Sequence, residues 1–78
     1  MEFFVCPCPV TGNVILDGND QGTNKDSAGN LQTKQCNEGL HTISLRFPDG
    51  KKCSPLQVNV VIKDTDPISP MEVVFQCV

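Results

Sequence analysis

Two runs of alternating apolar and polar residues, with turn-forming residues between them, limit the folds open to this chain more than any other feature. The alternating apolar positions are Ile43, Leu45 and Phe47 in the first run and Leu56, Val58, Val60 and Ile62 in the second. A period of two places such residues on one face of a pleated strand. Pro48, Asp49 and Gly50 separate the runs, and they favour a turn because proline presets φ, aspartate bonds its own turn and glycine accepts positive φ. The pattern therefore predicts a β-hairpin within residues 39–62.

Shorter apolar runs predict further strands on both sides of this hairpin. The predicted strands cover residues 2–6, 13–17 and 71–78, with two shorter ones near 21–23 and 31–36. Pro7 and Pro9 follow the first run, which is typical of an edge strand, and Asp17-Gly18 ends the second run in a turn. The mostly polar residues 19–35 predict a long loop. No segment has helical periodicity, so the sequence predicts an all-β domain, a small two-sheet β-sandwich of Ig-like architecture with antiparallel hairpins and no helix.

Length and charge limit the classes of function. Seventy-eight residues predict a single domain over residues 1–78. A net charge of −3 and a pI near 4.7 argue against nucleic acid and anionic membranes, because both need a basic surface. No apolar run approaches the ~20 residues of a membrane span. The run at residues 2–6 is too short for a signal peptide, so the chain is expected to be a piece of a longer exported protein.

Two segments resemble a known family. Residues 9–23, Pro-Val-Thr-Gly-Asn-Val-Ile-Leu-Asp-Gly-Asn-Asp-Gln-Gly-Thr, resemble the opening of a PEGA domain, where a proline-led strand ends in an Asp-Gly turn and a Gly-Thr pair follows. Residues 37–45 resemble the turn and His-Thr-Val-type strand that name the family, with Asn37 and Leu40 in place of its proline and alanine. The resemblance covers about residues 9–77. It implies a small β-sandwich accessory module of bacterial or archaeal exported and surface proteins, which binds surfaces or polysaccharide rather than catalysing a reaction.

Cysteine content favours disulfides, since small exported domains use them to supplement a small core. The candidates are Cys6, Cys8, Cys36, Cys53 and Cys77. They allow two bridges and one unpaired thiol, and the sequence leaves the pairing open. Cys77 with Cys6 or Cys8 would join the chain ends, and Cys36 with Cys53 would link the sheets. In the alternative, the thiols are reduced and Cys77 is a small buried apolar residue.

Metal binding and catalysis find little support in the spacing of the residues. The close pair Cys6-Pro7-Cys8 is one residue too tight for a zinc knuckle. An EF-hand alignment starting at Asp17 places Ala28 where the bidentate glutamate is needed. His41 is the single histidine, and its position in phase with the apolar residues of its strand predicts a structural role. We therefore expect no metal, no cofactor and no enzyme activity.

The sequence predicts a non-catalytic binding or spacer module of an exported or cell-surface protein, located outside the cell or in the cell envelope. Its partner would be a protein or a polysaccharide surface. Polar loops on a rigid sheet are a common recognition surface, so the predicted binding residues are Asn19, Asp20, Asn24, Lys25, Asp26, Asn30, Asp49, Lys51 and Lys52. The alternative is a structural or assembly domain of a virus or phage surface protein, which would self-associate through an exposed edge strand.

Overall fold

The computed structural model describes residues 1–47, 53–54 and 56–77, with the backbone path alone for residues 53, 54 and 77. This part of the chain contains nine short strands and no helix. The strands are β1 Glu2–Val5, β2 Asn13–Leu16, β3 Asn19–Thr23, β4 Lys34–Cys36, β5 Gly39–Arg46, β6 Cys53–Ser54, β7 Val58–Ile62, β8 Met71–Glu72 and β9 Gln76–Cys77. The described residues accordingly contain no helix long and apolar enough to cross a membrane.

The strands form two main sheets and a separate pair. The larger sheet has the order β3-β2-β5-β7, the smaller has the order β4-β1-β8, and β6 pairs with β9. The predicted all-β fold with two sheets is confirmed. Every pair in the larger sheet is antiparallel, as expected for hairpins, whereas β1 and β8 are parallel. The sequence predicted antiparallel hairpins, which join consecutive strands. The β1–β8 pair is parallel because it brings together the two ends of the chain.

The central hairpin is confirmed in its main part. β5 and β7 pair in antiparallel register from Gly39 opposite Ile62 to Ile43 opposite Val58. Beyond Ile43, β5 continues beside β2, where Leu45 lies opposite Val14. The predicted turn at 48–50 lies outside the described residues. The buried alternation of Ile43, Leu45 and Ile62 is as predicted, because these side chains face the other sheet.

The polar segment after β2 is partly strand. The short strands predicted near residues 21–23 and 31–36 are present as β3 and β4, and the loop predicted over residues 19–35 is confined to the residues between these two strands. Asp17 and Gly18 have φ values of 50° and 86°, and positive φ at both central residues is typical of the type I′ turn that suits a two-residue hairpin loop. The chain then runs back along β2 as β3. Most side chains of β3 are exposed, so an edge strand of this kind needs no apolar residues.

The last strand is interrupted rather than continuous. Between β8 and β9 the chain still follows the first segment, since Val73 N–H donates to Val5 O (N···O 2.9 Å) and Phe75 N–H donates to Pro7 O (3.0 Å). The predicted alternation is confirmed, because Val73 and Phe75 are buried while Val74 is exposed. The two ends of the chain therefore lie side by side.

The hydrophobic core lies between the two main sheets. Its buried residues are Phe4, Cys6, Cys8, Val14, Leu16, Cys36, Ile43, Leu45, Phe47, Ile62, Val73 and Phe75. No disulfide forms among the cysteine side chains that the structure describes, and Cys8 and Cys36 hold free thiols. The bridges predicted through Cys8 and Cys36 are therefore not formed, because both residues pack in the core as small apolar side chains.

Candidate binding groove

An open groove of about 690 Å³ lies where three segments of the chain meet. The segments are the proline-containing stretch after β1, the loop between β3 and β4, and the stretch that leads into β9. The lining residues are Pro7, Cys8, Pro9, Lys25, Leu31, Val74, Phe75 and Gln76. This volume lies within the range of about 300–1,000 Å³ that is typical of binding sites, and such sites are mostly apolar with a few polar groups.

The groove has a buried base and an exposed apolar rim. Phe75 and Cys8 are 1% and 5% exposed and belong to the core. Leu31 and Val74 are 42% and 56% exposed, although both are large apolar residues. The hydrogen bond from Phe75 N–H to Pro7 O holds two of the walls together. The base is therefore part of the rigid core, while the rim offers apolar area to solvent.

Asn24 ties the third wall to the rest of the domain. Its side chain is fully buried, its Nδ2 donates to Cys6 O (2.9 Å), and its Oδ1 accepts from Gly12 N–H (3.0 Å). Its backbone N–H donates to Gly12 O, and its carbonyl accepts from Gln32 N–H. A buried amide is tolerated only when its donors and acceptors are paired, and here the pairing joins β3, the loop after it and the stretch after β1.

Asp26 shapes the loop between Asn24 and Gln32. The backbone N–H groups of Ala28 and Asn30 both donate to Asp26 Oδ1 at 2.9 Å. The bond from Asn30 N–H is the main reason that the pKa of Asp26 lies below its usual value. Lys25 and Leu31 pair as an antiparallel bridge at the base of this loop. The turn therefore delivers both residues to the rim of the groove.

The predicted binding residues separate into different roles. Lys25 lines the groove, whereas Asn24 is buried and Asp26 and Asn30 bond each other within the loop. Asn19 and Asp20 belong to β3, and Asp20 accepts from Gly22 N–H. The candidates Asp49, Lys51 and Lys52 lie outside the described residues.

Most residues of the groove lining were not among the binding residues predicted from the sequence. Leu31 is the one large apolar residue of a polar stretch, and Val74 is an apolar residue on the outer face of an alternating strand. Both features were signals of an exposed apolar surface. The contribution of Pro7 and Pro9 depends on the parallel approach of the two chain ends, which the sequence pattern does not show.

His41 lies outside the groove lining, in a polar cluster with Asp17 of the β2–β3 turn and with Asn37. His41 Nδ1 is 2.6 Å from Asp17 Oδ2, and Nε2 is 2.6 Å from Asn37 O. Both partners accept hydrogen bonds, so the doubly protonated ring satisfies both contacts. The bond to Asp17, followed by that to Asn37, raises the pKa of His41. The pKa of Asp17 is lowered, mainly by the N–H of Thr42 and then by His41. These contacts give His41 a structural role in holding the β2–β3 turn against β5.

Comparisons of the chain with protein-family models, with curated proteins and with solved structures found no match. The described residues contain no group of three or more histidine, cysteine, aspartate or glutamate side chains arranged to hold a metal ion.

Proposed function

We propose that this chain is a non-catalytic protein-binding module of an exported or cell-surface protein, and that its groove takes an extended apolar segment of a partner protein. The observation that carries the proposal is the exposure of Leu31 and Val74 beside a rigid base formed by Cys8 and Phe75. Neighbouring apolar side chains left in water are typical of interaction sites. Covering them provides the driving force for binding.

The lining favours a protein segment over a polysaccharide. Among the lining residues Phe75 is the aromatic one, and it is 1% exposed, so it offers no ring face for stacking. Proline, leucine and valine side chains instead suit aliphatic side chains of a partner, each of which gains roughly 1.5–3 kcal/mol on full burial. Lys25 is the charged residue of the lining, and it favours an acidic side chain or a chain-terminal carboxylate beside the apolar ones.

The location outside the cell is supported by composition and by the PEGA resemblance. Such modules occur in exported and surface proteins, and small domains of that kind are commonly rich in cysteine. Five cysteines in 78 residues fit this class. The lining of the groove offers apolar contact, and His41 lies in its own cluster with Asp17 and Asn37, so binding is the activity that the groove supports.

Selection from a random peptide library displayed on phage tests the proposal. The library is first depleted on the Leu31→Glu/Val74→Glu double variant and then selected on the unmodified protein. We expect enriched peptides that combine alternating aliphatic residues with an acidic group. Synthetic copies should bind the double variant at least about tenfold more weakly, because a buried unpaired carboxylate costs more than the ~1.4 kcal/mol of a tenfold change.

Ile68→Glu is the matched control, since Ile68 is 93% exposed and lies outside the groove lining. This variant should keep the affinity of the unmodified protein. Peptides that bind all three proteins equally, or a selection without enrichment, would show that the groove is not a peptide-binding site.

A second candidate function is assembly through a sheet edge. β7 is an outer strand of the larger sheet, and its Val61 lies opposite Leu40 of β5. These two residues are 51% and 70% exposed, so they form an apolar cross-strand pair at the edge. An edge of this kind favours self-association, as in a structural domain of a virus or phage surface protein. Light scattering over a range of concentrations tests it: a monomer throughout excludes assembly, and dimers lost in Val61→Lys support it.

A further inference from the structure

Two of the five cysteines occupy directly opposed positions in an antiparallel strand pair. Cys53 of β6 is the register partner of Cys77 of β9, and Ser54 is the partner of Gln76. Directly opposed residues in antiparallel strands have Cα atoms about 4.5–5.5 Å apart. Disulfides join residues with Cα separations of about 4.4–6.8 Å. We propose that Cys53 and Cys77 form a cross-strand disulfide, an inference that does not depend on what the groove binds.

The register selects a pairing that the sequence pattern did not favour. The bridges expected from sequence joined Cys77 to the first cysteines and Cys53 to Cys36. Cys36 lies instead in β4, opposite Glu2 of β1, and its thiol is free and 6% exposed. Burial, together with the negative charges of Glu2 and Asp17, raises the pKa of the Cys36 thiol. The thiolate is the reactive form, so Cys36 is a poor competitor for Cys53.

Thiol–disulfide exchange with a small-molecule disulfide, such as oxidised glutathione, supplies the chemistry. One cysteine thiolate attacks a sulfur of the oxidant, whose S–S bond breaks and releases one glutathione thiolate. The second cysteine thiolate then attacks the protein sulfur of the mixed disulfide and releases the other. The two cysteine thiols lose two protons and two electrons, and the oxidant is reduced to two thiols that take up the protons.

The bond would anchor one wall of the groove. β6 and β9 are two residues long each, so few backbone hydrogen bonds hold them together. Gln76 of β9 lines the groove and Val74 forms part of its rim. A covalent link at Cys77 would close residues 53–77 into a loop and restrict the unfolded chain, which is how disulfides stabilise proteins in the chain-entropy model.

Peptide mapping after native oxidation tests the proposal. Reduced, folded protein is oxidised with excess oxidised glutathione, and the remaining thiols are alkylated before digestion with trypsin. Cleavage after lysine and arginine places Cys53 on residues 53–63 and Cys77 on residues 64–78, and the other cysteines fall on residues 1–25 and 35–46. We expect a cross-linked 53–63/64–78 pair. It should be lost in Cys53→Ser and in Cys77→Ser, and retained in Cys36→Ala.

The same oxidation in denaturant shows whether the fold directs the pairing. The 53–63/64–78 product should dominate in the folded protein and become one of several products in the unfolded chain. Linkage of residues 64–78 to residues 1–25 or 35–46 in the folded protein would overturn the proposal. Alkylation of both Cys53 and Cys77 in oxidised protein with an unchanged circular dichroism spectrum would overturn it as well, as would equal product distributions in the two states.

Discussion

Hydrogen bonds from single polar side chains join distant segments of this small domain, and Asn24 is the clearest case. Replacing it with alanine leaves the carbonyl of Cys6 and the N–H of Gly12 buried without the partners they have now. Each unpaired buried group costs about 1–3 kcal/mol, so we expect Asn24→Ala to lower the free energy of unfolding by roughly 2 kcal/mol or more. Urea denaturation measures the change.

Asn30→Ala is the control for that prediction, because Asn30 is exposed and its side chain makes one long contact of 3.4 Å with Asp26. Its effect should stay within about 0.5 kcal/mol. Equal effects of the two substitutions would mean that Asn24 does not hold the loop in place.

The contacts of His41, a second single residue, predict that the stability of the protein depends on pH. Its pKa is raised in the folded state by Asp17 and Asn37, so the folded protein holds the proton more tightly than the unfolded chain. The resulting stabilisation is complete below the unfolded pKa of about 6.5 and is lost as pH rises through the folded pKa. The stability difference between the unmodified protein and His41→Gln should therefore shrink as pH rises above about 6.5. Thermal unfolding between mildly acidic and mildly basic pH measures this difference.

Asp17, the carboxylate partner of His41, sets the lower limit of the pH range in which the pair stabilises the fold. Because the pKa of Asp17 is lowered in the folded state, its contribution is present above its unfolded pKa and is lost as pH falls through the folded value. The pair should stabilise the protein most between these two limits, at mildly acidic pH. A difference between His41→Gln and the unmodified protein that stays constant from acid to base would contradict the assigned contacts.

Elements in this fold differ in how far the sequence reveals them. β5 and β7 are buried on one face, so their apolar period of two is visible in the sequence. β3 is exposed along most of its length. An edge strand with both faces in solvent needs no alternating apolar residues, so its sequence shows no period of two. The pairing of β1 with β8 joins distant segments, and the groove collects residues from three such segments. Local sequence patterns carry no information about contacts between distant segments. The fold class could therefore be predicted, whereas the groove could not.

The β2–β3 hairpin shows how one turn residue controls an element. Gly18 has φ of 86°, and apart from Gly18 itself and its two chain neighbours no residue has an atom within 4 Å of the position that a Cβ would take. Gly18→Ala should therefore cost about 1–2 kcal/mol through backbone conformation alone. Gly18→Asn should cost less, since asparagine tolerates the left-handed region. Denaturant unfolding of both variants measures the costs, and equal losses would contradict a purely conformational cause.

The whole molecule depends on the packing of its two chain ends. The end segment that carries Phe75 lies beside the first segment through the bond to Pro7, and Phe75 is 1% exposed in the shared core. Phe75→Ala should cost about 3–5 kcal/mol. A domain of this size has a total stability of roughly 4–12 kcal/mol, at 0.05–0.15 kcal/mol per residue. The substitution would therefore remove a large part of the stability of the whole fold.

Circular dichroism during thermal unfolding, together with hydrogen exchange, distinguishes global from local loss. We expect Phe75→Ala to lower the unfolding temperature and to reduce protection in β1, β2 and β5 together, because these strands share one core. Val74→Ala is the matched control, since Val74 is next to Phe75 in the chain but is 56% exposed. This substitution should change the free energy of unfolding by no more than about 0.5 kcal/mol. Loss of protection confined to the end segment would show that this segment packs on a domain that is stable without it, and the groove would then have one wall that opens independently of the core.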